Sequence, residues 1–179
     1  MKIIFIRHGK TDGNLEKRYI GRTDESLSET GREEILGSGL CDIEVDAVFV
    51  SPMKRCIETS ELVFANHNKI IIDEWKEIDF GLFEGKNYQE LKDDKDYQAW
   101  IDSNGTIAFP EGESREEFIK RCMLGFEKCK SICRDSMFET IACVVHGGTI
   151  MAIASTLTRK EYFDFQIDNA GKLELQVEL

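Results

Sequence analysis

Two of the three histidines in this chain stand in the same setting, directly after an apolar run and directly before a glycine. The first, His8, lies between Arg7 and Gly9, and the second is His146. A glycine lets a backbone carbonyl approach the ring and accept a hydrogen bond from one ring nitrogen, so that the other nitrogen is unprotonated and can act as a nucleophile. The neighbouring arginine offers a planar fork of donors that suits phosphate or carboxylate. These residues predict nucleophilic chemistry on an anionic substrate.

A second arginine stands in a comparable position farther along the chain. Ser51 and Pro52 follow an apolar run, and Arg55 comes three residues after the proline. The sequence predicts a helix that begins here with proline at its first position. The start of a helix after a strand is a favourable place for an anion, and Arg55 in the first turn could reach it. A solvent-exposed helix arginine is the alternative interpretation.

The elements that must position these residues alternate along the chain. β-Branched and aromatic runs predict strands, and amphipathic patterns predict helices between them. The predicted strands cover residues 2–6, 46–50, 69–73, 140–145 and 173–179. The predicted helices cover 28–40 with a cap at Ser28, 52–66, short helices within 87–103, 115–134 and 149–157. This alternation is typical of βαβ units and a parallel sheet, whose ligands bind at the carboxyl ends of the strands.

Two local signals refine the central part of the chain. Ser114 followed by Glu117 forms a capping box, which predicts the start of the longest helix. The short helices before it carry aromatic residues that are expected to anchor them, at Tyr88, Tyr97 and Trp100. The stretch from 77 to 112 is the least regular and is expected to lie over the carboxyl edge of the sheet as a small cap-like insertion.

Composition and charge exclude several classes of function. A chain of 179 residues forms one domain, 1–179, and its net charge of −11 argues against nucleic acid or an anionic membrane as partner. No run reaches the roughly 18 apolar residues of a membrane span, and the N-terminus is a strand and not a signal peptide, which predicts a cytoplasmic location. An anionic substrate would then need a local basic patch. Lys10, Lys17 and Arg18 lie near the first motif but are expected to be solvated loop charges.

The six cysteines do not predict a metal site or disulfides. None forms a Cys-x-x-Cys pair, and no cluster with histidine has zinc spacing. Cys122, Cys129 and Cys133 share one face of a predicted helix, which favours buried thiols in a reducing compartment. We therefore expect neither a metal nor any other cofactor.

Six segments of the sequence, in order and at compatible spacing, resemble the histidine phosphatase superfamily in its phosphoglycerate mutase-like branch. The resemblance covers almost the full length. The segments are Arg7-His8-Gly9-Lys10-Thr11-Asp12-Gly13-Asn14, residues 21–31, residues 51–59, residues 77–85, Pro110-Glu111-Gly112-Glu113-Ser114 and Val145-His146-Gly147-Gly148. An isolated Arg-His-Gly would be a weak signal, whereas six matching segments are a strong one. The resemblance implies a three-layer α/β/α sandwich with a mostly parallel sheet.

The resemblance also implies roles for individual residues. His8 would be the nucleophile that forms a phosphohistidine, and Glu77 would protonate the leaving alkoxide. The implied phosphoryl-binding residues are Arg7, Arg55 and His146, with further phosphate contacts from Asn14, the backbone near Gly21, and Gly147. Two arginines and an imidazole can stabilise the charge of a phosphoryl group without a metal.

The choice of Glu77 as the acid depends on the resemblance alone. Glu74, Asp79 and Glu84 stand close to it in a chain with 34 acidic residues, and the residue pattern does not separate them. Such an acid would need a pKa raised toward neutrality by its surroundings.

The leading hypothesis is a metal-independent phosphomonoesterase acting on a small phosphorylated metabolite. The short insertion looks more like small phosphatases, including α-ribazole phosphatases, than phosphoglycerate mutases. Residues 86–113 contain Lys86, Lys92 and Lys95 but no arginine, so a strongly anionic second group on the substrate is expected to bind poorly. Phosphoglycerate mutase activity ranks second. A non-catalytic phosphate-binding regulatory module and a metal hydrolase are the remaining alternatives, and the sequence does not predict the oligomeric state.

Overall fold

The computed structural model describes residues 1–178, which contain a five-stranded sheet in the order β3-β2-β4-β1-β5. The strands are β1 (Lys2–Arg7), β2 (Ala47–Val50), β3 (Lys69–Ile71), β4 (Thr140–Val145) and β5 (Lys172–Gln176). All neighbouring pairs are parallel except β1 and β5, which are antiparallel. The predicted α/β class with a mostly parallel sheet is confirmed.

Seven helices are found in the described part of the chain, together with short 3₁₀ turns. They are α1 (Asp12–Leu15), α2 (Glu29–Gly37), α3 (Lys54–Val63), α4 (Tyr88–Leu91), α5 (Lys95–Asp102), α6 (Arg115–Ser136) and α7 (Gly147–Thr158). Both predicted caps are present: the Ser28 side chain accepts from the backbone of Gly31, and Ser114 with Glu117 completes a capping box before α6.

The layers follow from the alternation of side chains along β1. Ile3 and Phe5 belong to one core cluster, together with buried residues of α6 and α7. Ile4 and Ile6 belong to the other, together with buried residues of α2 and α3. Successive residues of a strand point to opposite faces, so both faces of the central strand are covered by helices. The predicted three-layer α/β/α sandwich is thereby confirmed.

The strand register brings the segments that follow β1, β2 and β4 to one edge of the sheet. Arg7 pairs with Val145 across β1 and β4. The His8 N–H donates to the carbonyl of Val145 (3.0 Å), and the Ser51 N–H donates to the carbonyl of Val144 (3.1 Å). Because these strands are parallel, their carboxyl ends coincide, which places His8, Ser51 and His146 side by side.

Several predicted boundaries are wrong by a few residues. The helix predicted to begin at Pro52 begins at Lys54, because Met53 is still extended. It ends at Val63, and the next residue, Phe64, leaves the helical conformation and is buried. The helix predicted to reach residue 40 ends at Gly37, shortly before Gly39 adopts a left-handed φ of 74°.

The remaining differences lie in the second half of the chain. The helix predicted over 149–157 begins two residues earlier, with His146 as its cap. The third strand ends at Ile71 and the last strand spans Lys172–Gln176, whereas residue 179 of the predicted terminal strand lies outside the described residues.

The segment 77–112 is held by aromatic packing. Tyr97 is buried, and its ring stacks on Trp100 at a centroid distance of 6.1 Å. Trp100 in turn packs on Phe109 at 4.9 Å. The third expected anchor, Tyr88, is 57% exposed and makes a weaker contact, since its ring meets that of Tyr97 edge-on at 6.3 Å.

The cysteine prediction is confirmed as far as burial is concerned. Cys122, Cys129 and Cys133 are buried free thiols on the inner face of α6, and no disulfide occurs within residues 1–178. Among the helices of that same stretch, none combines the length and the apolar character that crossing a membrane requires.

Candidate active site

The two strand-end histidines meet at the carboxyl edge of the sheet. The rings of His8 and His146 approach to a centroid distance of 5.2 Å in an edge-on arrangement, although 138 positions separate them in the chain. Both side chains are buried. The contact follows from the pairing of β1 with β4, which the sequence could suggest but not establish.

The tautomer of His8 is set by its own neighbour. Its Nδ1 lies 2.7 Å from the carbonyl oxygen of Gly9, which can only accept, so Nδ1 carries the proton and Nε2 has a free lone pair. Burial lowers the pKa of His8 well below its usual value, and the positive charges of Arg55 and Arg7 lower it further. The ring is therefore neutral and nucleophilic near pH 7.

Gly9 serves a second purpose that the sequence did not indicate. A Cβ at this position would stand 2.5 Å from Cδ1 of Ile35 and 3.0 Å from the carbonyl oxygen of Gly31. The Gly9 N–H donates to Oγ1 of Thr59 at 3.1 Å. Helices α2 and α3 therefore pack directly on the backbone that orients His8.

His146 has the opposite tautomer. Its Nδ1 lies 3.3 Å from Nε of Arg55, which can only donate, so the proton resides on Nε2, 2.7 Å from the hydroxyl oxygen of Ser51. Burial lowers the pKa of His146 well below its usual value, with Arg55 as the next cause. His146 is thus a neutral imidazole beside His8, and its Nε2–H is donated to Ser51.

Arg55 is fully buried, which rules out the exposed alternative. Its Nη1 donates to the carbonyl of Thr23 at 2.9 Å, and its Nη2 donates to the carbonyl of Gly21 at 2.9 Å. The guanidinium thus holds the 20–23 loop while placing its positive charge beside both imidazoles. A phosphoryl oxygen that binds Arg55 would have to share a guanidinium N–H with one of these carbonyls or displace the carbonyl from it.

Arg7 is more available to a ligand. Its Nη1 donates to the carbonyl of Ile167 at 2.7 Å, while its buried Nε has no partner within residues 1–178. Burial lowers the pKa of Arg7 from its usual value. A Cβ on Gly147 would lie 3.3 Å from this Nε, so the glycine leaves the arginine room.

Glu77 is a buried carboxyl group with an exposed fraction of 8%. Its Oε1 accepts from the N–H of Ile78 at 3.0 Å, and its Oε2 accepts from the N–H of Gly148 at 3.3 Å. Burial raises the pKa of Glu77, and it is the largest influence, although these two hydrogen bonds and the nearby arginines oppose it. A carboxyl group in this state can hold a proton closer to neutral pH.

The structure distinguishes Glu77 from the three other acidic residues that the sequence pattern could not exclude as the general acid. Of the four, Glu77 alone lines the cavity beside Arg7. Glu74 pairs with Lys128, Asp79 accepts from the N–H of Gly81, and Glu84 accepts from the backbone of the 20–23 loop.

The three further predicted phosphate contacts differ in their availability. Oδ1 of Asn14 accepts from the N–H of Thr11 and from Asn169, which leaves the Asn14 amide nitrogen for a ligand. Gly147 lines the cavity at the first turn of α7. Gly21 does not offer a donor: its N–H bonds to Glu84 at 2.8 Å, because Glu84 and Arg55 together brace this loop.

Sequence reasoning missed two residues that the site requires. Ser51 was considered only as part of a helix start, whereas its hydroxyl contacts His146. Gly148 was quoted with the second histidine, but its role was not recognised: a Cβ there would stand 2.4 Å from Oε1 of Glu77. The pair of glycines after His146 was the available signal.

A cavity of about 310 Å³ is lined by Arg7 and Glu77, whereas neither His8 nor His146 belongs to its lining. Its polar lining consists of Arg7, Glu77, Arg115 and Gln166, together with the backbone of Gly147. The rest of the lining is mainly aromatic and apolar, from Tyr19, Ile78, Phe80, Trp100, Phe109, Met151, Tyr162 and Phe163. Across the part of the chain that the structure describes, no group of three or more His, Cys, Asp or Glu residues is arranged to hold a metal ion.

A buried pair of histidines flanked by two arginines, at the carboxyl edge of a three-layer sandwich, is an arrangement suited to an anionic ligand such as a phosphoryl group. The sequence profile described as histidine phosphatase superfamily (branch 1) matches residues 3–178, and the chain belongs to this family.

Similar proteins agree with this membership. Phosphoserine phosphatase 1 of Hydrogenobacter thermophilus (strain DSM 6534 / IAM 12695 / TK-6) is 27% identical over 187 residues, which cover 99% of this chain and 87% of the relative. The crystal structure of a phosphoserine phosphatase mutant from Entamoeba histolytica, in complex with phosphoserine, is 28% identical with a TM-score of 0.78, covering 97% of this chain and 89% of that one. The α-ribazole phosphatase of Shigella flexneri has a TM-score of 0.84 at 24% identity, covering 99% and 91%, and shares the fold. The chain is accordingly a phosphoric monoester hydrolase.

Proposed function

We propose that this protein is a metal-independent phosphomonoesterase in which Nε2 of His8 attacks phosphorus and forms a phosphohistidine, which water then hydrolyses. The observation that carries the proposal is the 2.7 Å contact between His8 Nδ1 and the Gly9 carbonyl. It leaves the lone pair of Nε2 free in a buried site between two arginines. The alkoxide leaves as the N–P bond forms. In the second step water attacks phosphorus, the N–P bond breaks, and inorganic phosphate is released while Nε2 regains its lone pair.

The charge of the transferring group would be met by Arg7, Arg55 and His146. The Nε of Arg7 is a free donor for an equatorial oxygen, whereas the Nε2–H of His146 is donated to Ser51 and would have to exchange that partner for the phosphoryl group. In a buried site such donors act at low dielectric, where each is worth more than in water. Asn14 and Gly147 would add N–H contacts, whereas Gly21 positions Arg55.

Glu77 would supply the proton to the leaving oxygen. Its raised pKa, caused by burial, favours the protonated form that a general acid needs. After the alkoxide has left, the resulting carboxylate can accept a proton from the attacking water. One residue thus serves both half-reactions.

The positive charges support catalysis without a metal ion, since the residues around His8 are cationic and would repel a divalent cation. The hydrolysis of an activated aryl phosphate is therefore expected to survive excess chelator. Loss of activity on chelation that a divalent ion restores would contradict this part of the proposal.

The substrate is a small phosphorylated metabolite held within one domain, with residues 77–112 acting as a cap. α-Ribazole 5'-phosphate is one candidate, since the aromatic lining from Tyr19, Phe80, Trp100 and Phe109 could accept its flat base. A panel with α-ribazole 5'-phosphate, 3-phosphoglycerate, phosphoserine and small sugar phosphates would rank the candidates. Transfer of phosphate between carbons of phosphoglycerate would instead favour the mutase alternative.

The decisive experiment traps the intermediate. Substrate labelled with ³²P and quenched during turnover should leave label on the protein through a bond that is labile in acid and stable in base. His8→Ala should abolish both label and turnover, and His146→Ala should slow both. His67→Ala is the matched control, because the third histidine contacts the Val45 carbonyl and the Phe64 ring and does not line the cavity.

The other outcomes of this labelling experiment would each favour a different function. Turnover without label would favour a metal hydrolase, and neither label nor turnover with any substrate would favour a binding module. Label that maps to His146 would reverse the roles assigned to the two histidines.

A further inference from the structure

Thr59 is a fully buried residue of α3 whose hydroxyl joins two parts of the site. Its Oγ1 donates to the carbonyl of Arg55 at 2.6 Å, one turn earlier in the same helix, and accepts from the N–H of Gly9 at 3.1 Å. Because the hydroxyl proton is used toward Arg55, the oxygen remains as an acceptor for Gly9. One hydroxyl thus connects the helix that carries Arg55 to the loop that follows His8.

The helix alone does not account for a threonine at this place. A helix threonine can donate to the carbonyl four residues earlier without contacting any other element, and this contact slightly destabilises the helix. Thr156 of α7 is such a residue: its hydroxyl donates to the carbonyl of Ala152 at 2.8 Å and has no second partner within residues 1–178. Thr59 differs because its oxygen also accepts an N–H from a distant part of the chain.

Gly9 is a residue that needs such a partner. A glycine has no Cβ and therefore adopts backbone conformations that other residues avoid, so its two peptide groups are not fixed by local sterics. Yet the carbonyl of Gly9 accepts from Nδ1 of His8 at 2.7 Å, the contact that sets the tautomer of the ring. The N–H of Gly9 has no acceptor other than Thr59 within residues 1–178.

The peptide group between His8 and Gly9 is held at both ends. Its carbonyl oxygen, on His8, accepts from Nδ2 of Asn169 at 3.0 Å and from the N–H of Ala170 at 3.2 Å. Its N–H, on Gly9, donates to Thr59. Removal of the Thr59 hydroxyl would leave only the carbonyl end held. The peptide could then tilt about that end, and the next carbonyl, which orients the ring of His8, would move with it.

We propose that Thr59 is a positioning residue for the nucleophile: its hydroxyl holds the peptide of Gly9, so that the Gly9 carbonyl keeps the ring proton of His8 on Nδ1 and leaves the lone pair on Nε2. The inference rests on the proposed phosphatase function, in which Nε2 attacks phosphorus. Without the hydroxyl, the hydrogen bond to Nδ1 weakens and the proton can pass to Nε2. A ring nitrogen that carries the proton cannot attack.

The first measurement is the rate of the attack step. Thr59→Val removes the hydroxyl and keeps the branched shape, whereas Thr59→Ser keeps the hydroxyl. Single-turnover labelling with ³²P-labelled 4-nitrophenyl phosphate should be about 10-fold slower for Thr59→Val, since the nucleophile is misplaced, and within about threefold of wild type for Thr59→Ser. Thr156→Val is the matched control, because the same substitution there removes only a bond within one helix, and it should label at the wild-type rate.

The second measurement observes the tautomer without turnover. The ¹⁵N chemical shifts of a histidine ring distinguish a protonated nitrogen from an unprotonated one, and the chain has only three histidines, so His8→Ala identifies the signals of His8. At about pH 7.5 the wild type and Thr59→Ser should carry the proton on Nδ1. Thr59→Val should show a population that carries it on Nε2.

Three results would overturn the inference. A wild-type labelling rate in Thr59→Val would show that the hydroxyl is dispensable. Slower labelling with an unchanged tautomer of His8, or a Thr59→Ser variant as slow as Thr59→Val, would assign Thr59 a role in packing alone. Turnover by His8→Ala would instead refute the proposed function, and the ring nitrogen signals would still show whether Thr59 sets the tautomer.

Discussion

Gly148→Ala should displace the proposed general acid without removing it. The new Cβ would stand 2.4 Å from Oε1 of Glu77 and 3.1 Å from Cε1 of Phe118. Ordinary contact begins near 3.4 Å, so the carboxyl group must move by about 1 Å, and a misplacement of that size costs on the order of 10²-fold in rate. Overpacking of this kind should also lower the free energy of unfolding by about 1–3 kcal/mol.

The assay separates displacement of the acid from general damage. An alkyl ester such as glycerol 3-phosphate needs a proton on its leaving oxygen, whereas 4-nitrophenyl phosphate hardly does, so kcat/KM should fall about 10²-fold for the first and only a few-fold for the second. Gly37→Ala is the matched control, because this helical glycine has nothing within 4 Å of the added Cβ. It should leave activity unchanged and stabilise the protein by up to about 1 kcal/mol. Equal losses on both esters, or an unaffected alkyl ester, would refute the placement of Glu77 as the acid.

Three further perturbations test other parts of the site. Glu77→Gln should depress alkyl ester hydrolysis by about 10²-fold or more and aryl ester hydrolysis far less; equal losses would assign Glu77 a structural task or move the acid role to Glu84 or Asp79. The folded-state pKa of His146 is lowered by burial, so its stabilisation is complete above the unfolded pKa of about 6.5 and is lost as the pH falls toward the folded pKa. The free energy of unfolding, measured with urea at about pH 7.5 and about pH 5.5, should therefore fall less for His146→Gln than for wild type. The difference should be up to about 1.4 kcal/mol per pH unit, and an equal decrease in both proteins would contradict this prediction. Arg121 donates to the carbonyls of Glu74 (2.5 Å) and Lys76 (2.9 Å) just before Glu77, so Arg121→Met should lower the free energy of unfolding by about 2–3 kcal/mol and slow alkyl ester turnover more than aryl; unchanged stability would show that this clamp is dispensable.

Much of the fold could be predicted because its signals are local. The strands at 2–6 and 140–145 are runs of apolar residues whose propensity and burial agree, and the caps at Ser28 and Ser114 are decided within four residues. Boundaries were less predictable where tertiary contacts compete with local preference. Pro52 is suited to a first helical turn, yet Met53 is extended and the helix begins at Lys54, two residues after the position expected from the proline.

The sequence by itself determined the class of chemistry: a histidine before a glycine, beside an arginine, at a strand end is a property of adjacent residues. The order and spacing of the six matching segments also identified the family. Only the tertiary structure decided which groups face the ligand. In the folded chain the N–H of Gly21 donates to Glu84, Glu77 accepts from the N–H of Gly148, and Arg115 lines the cavity. Such contacts join residues far apart in the chain, and they depend on strand order and helix packing, which no local pattern encodes.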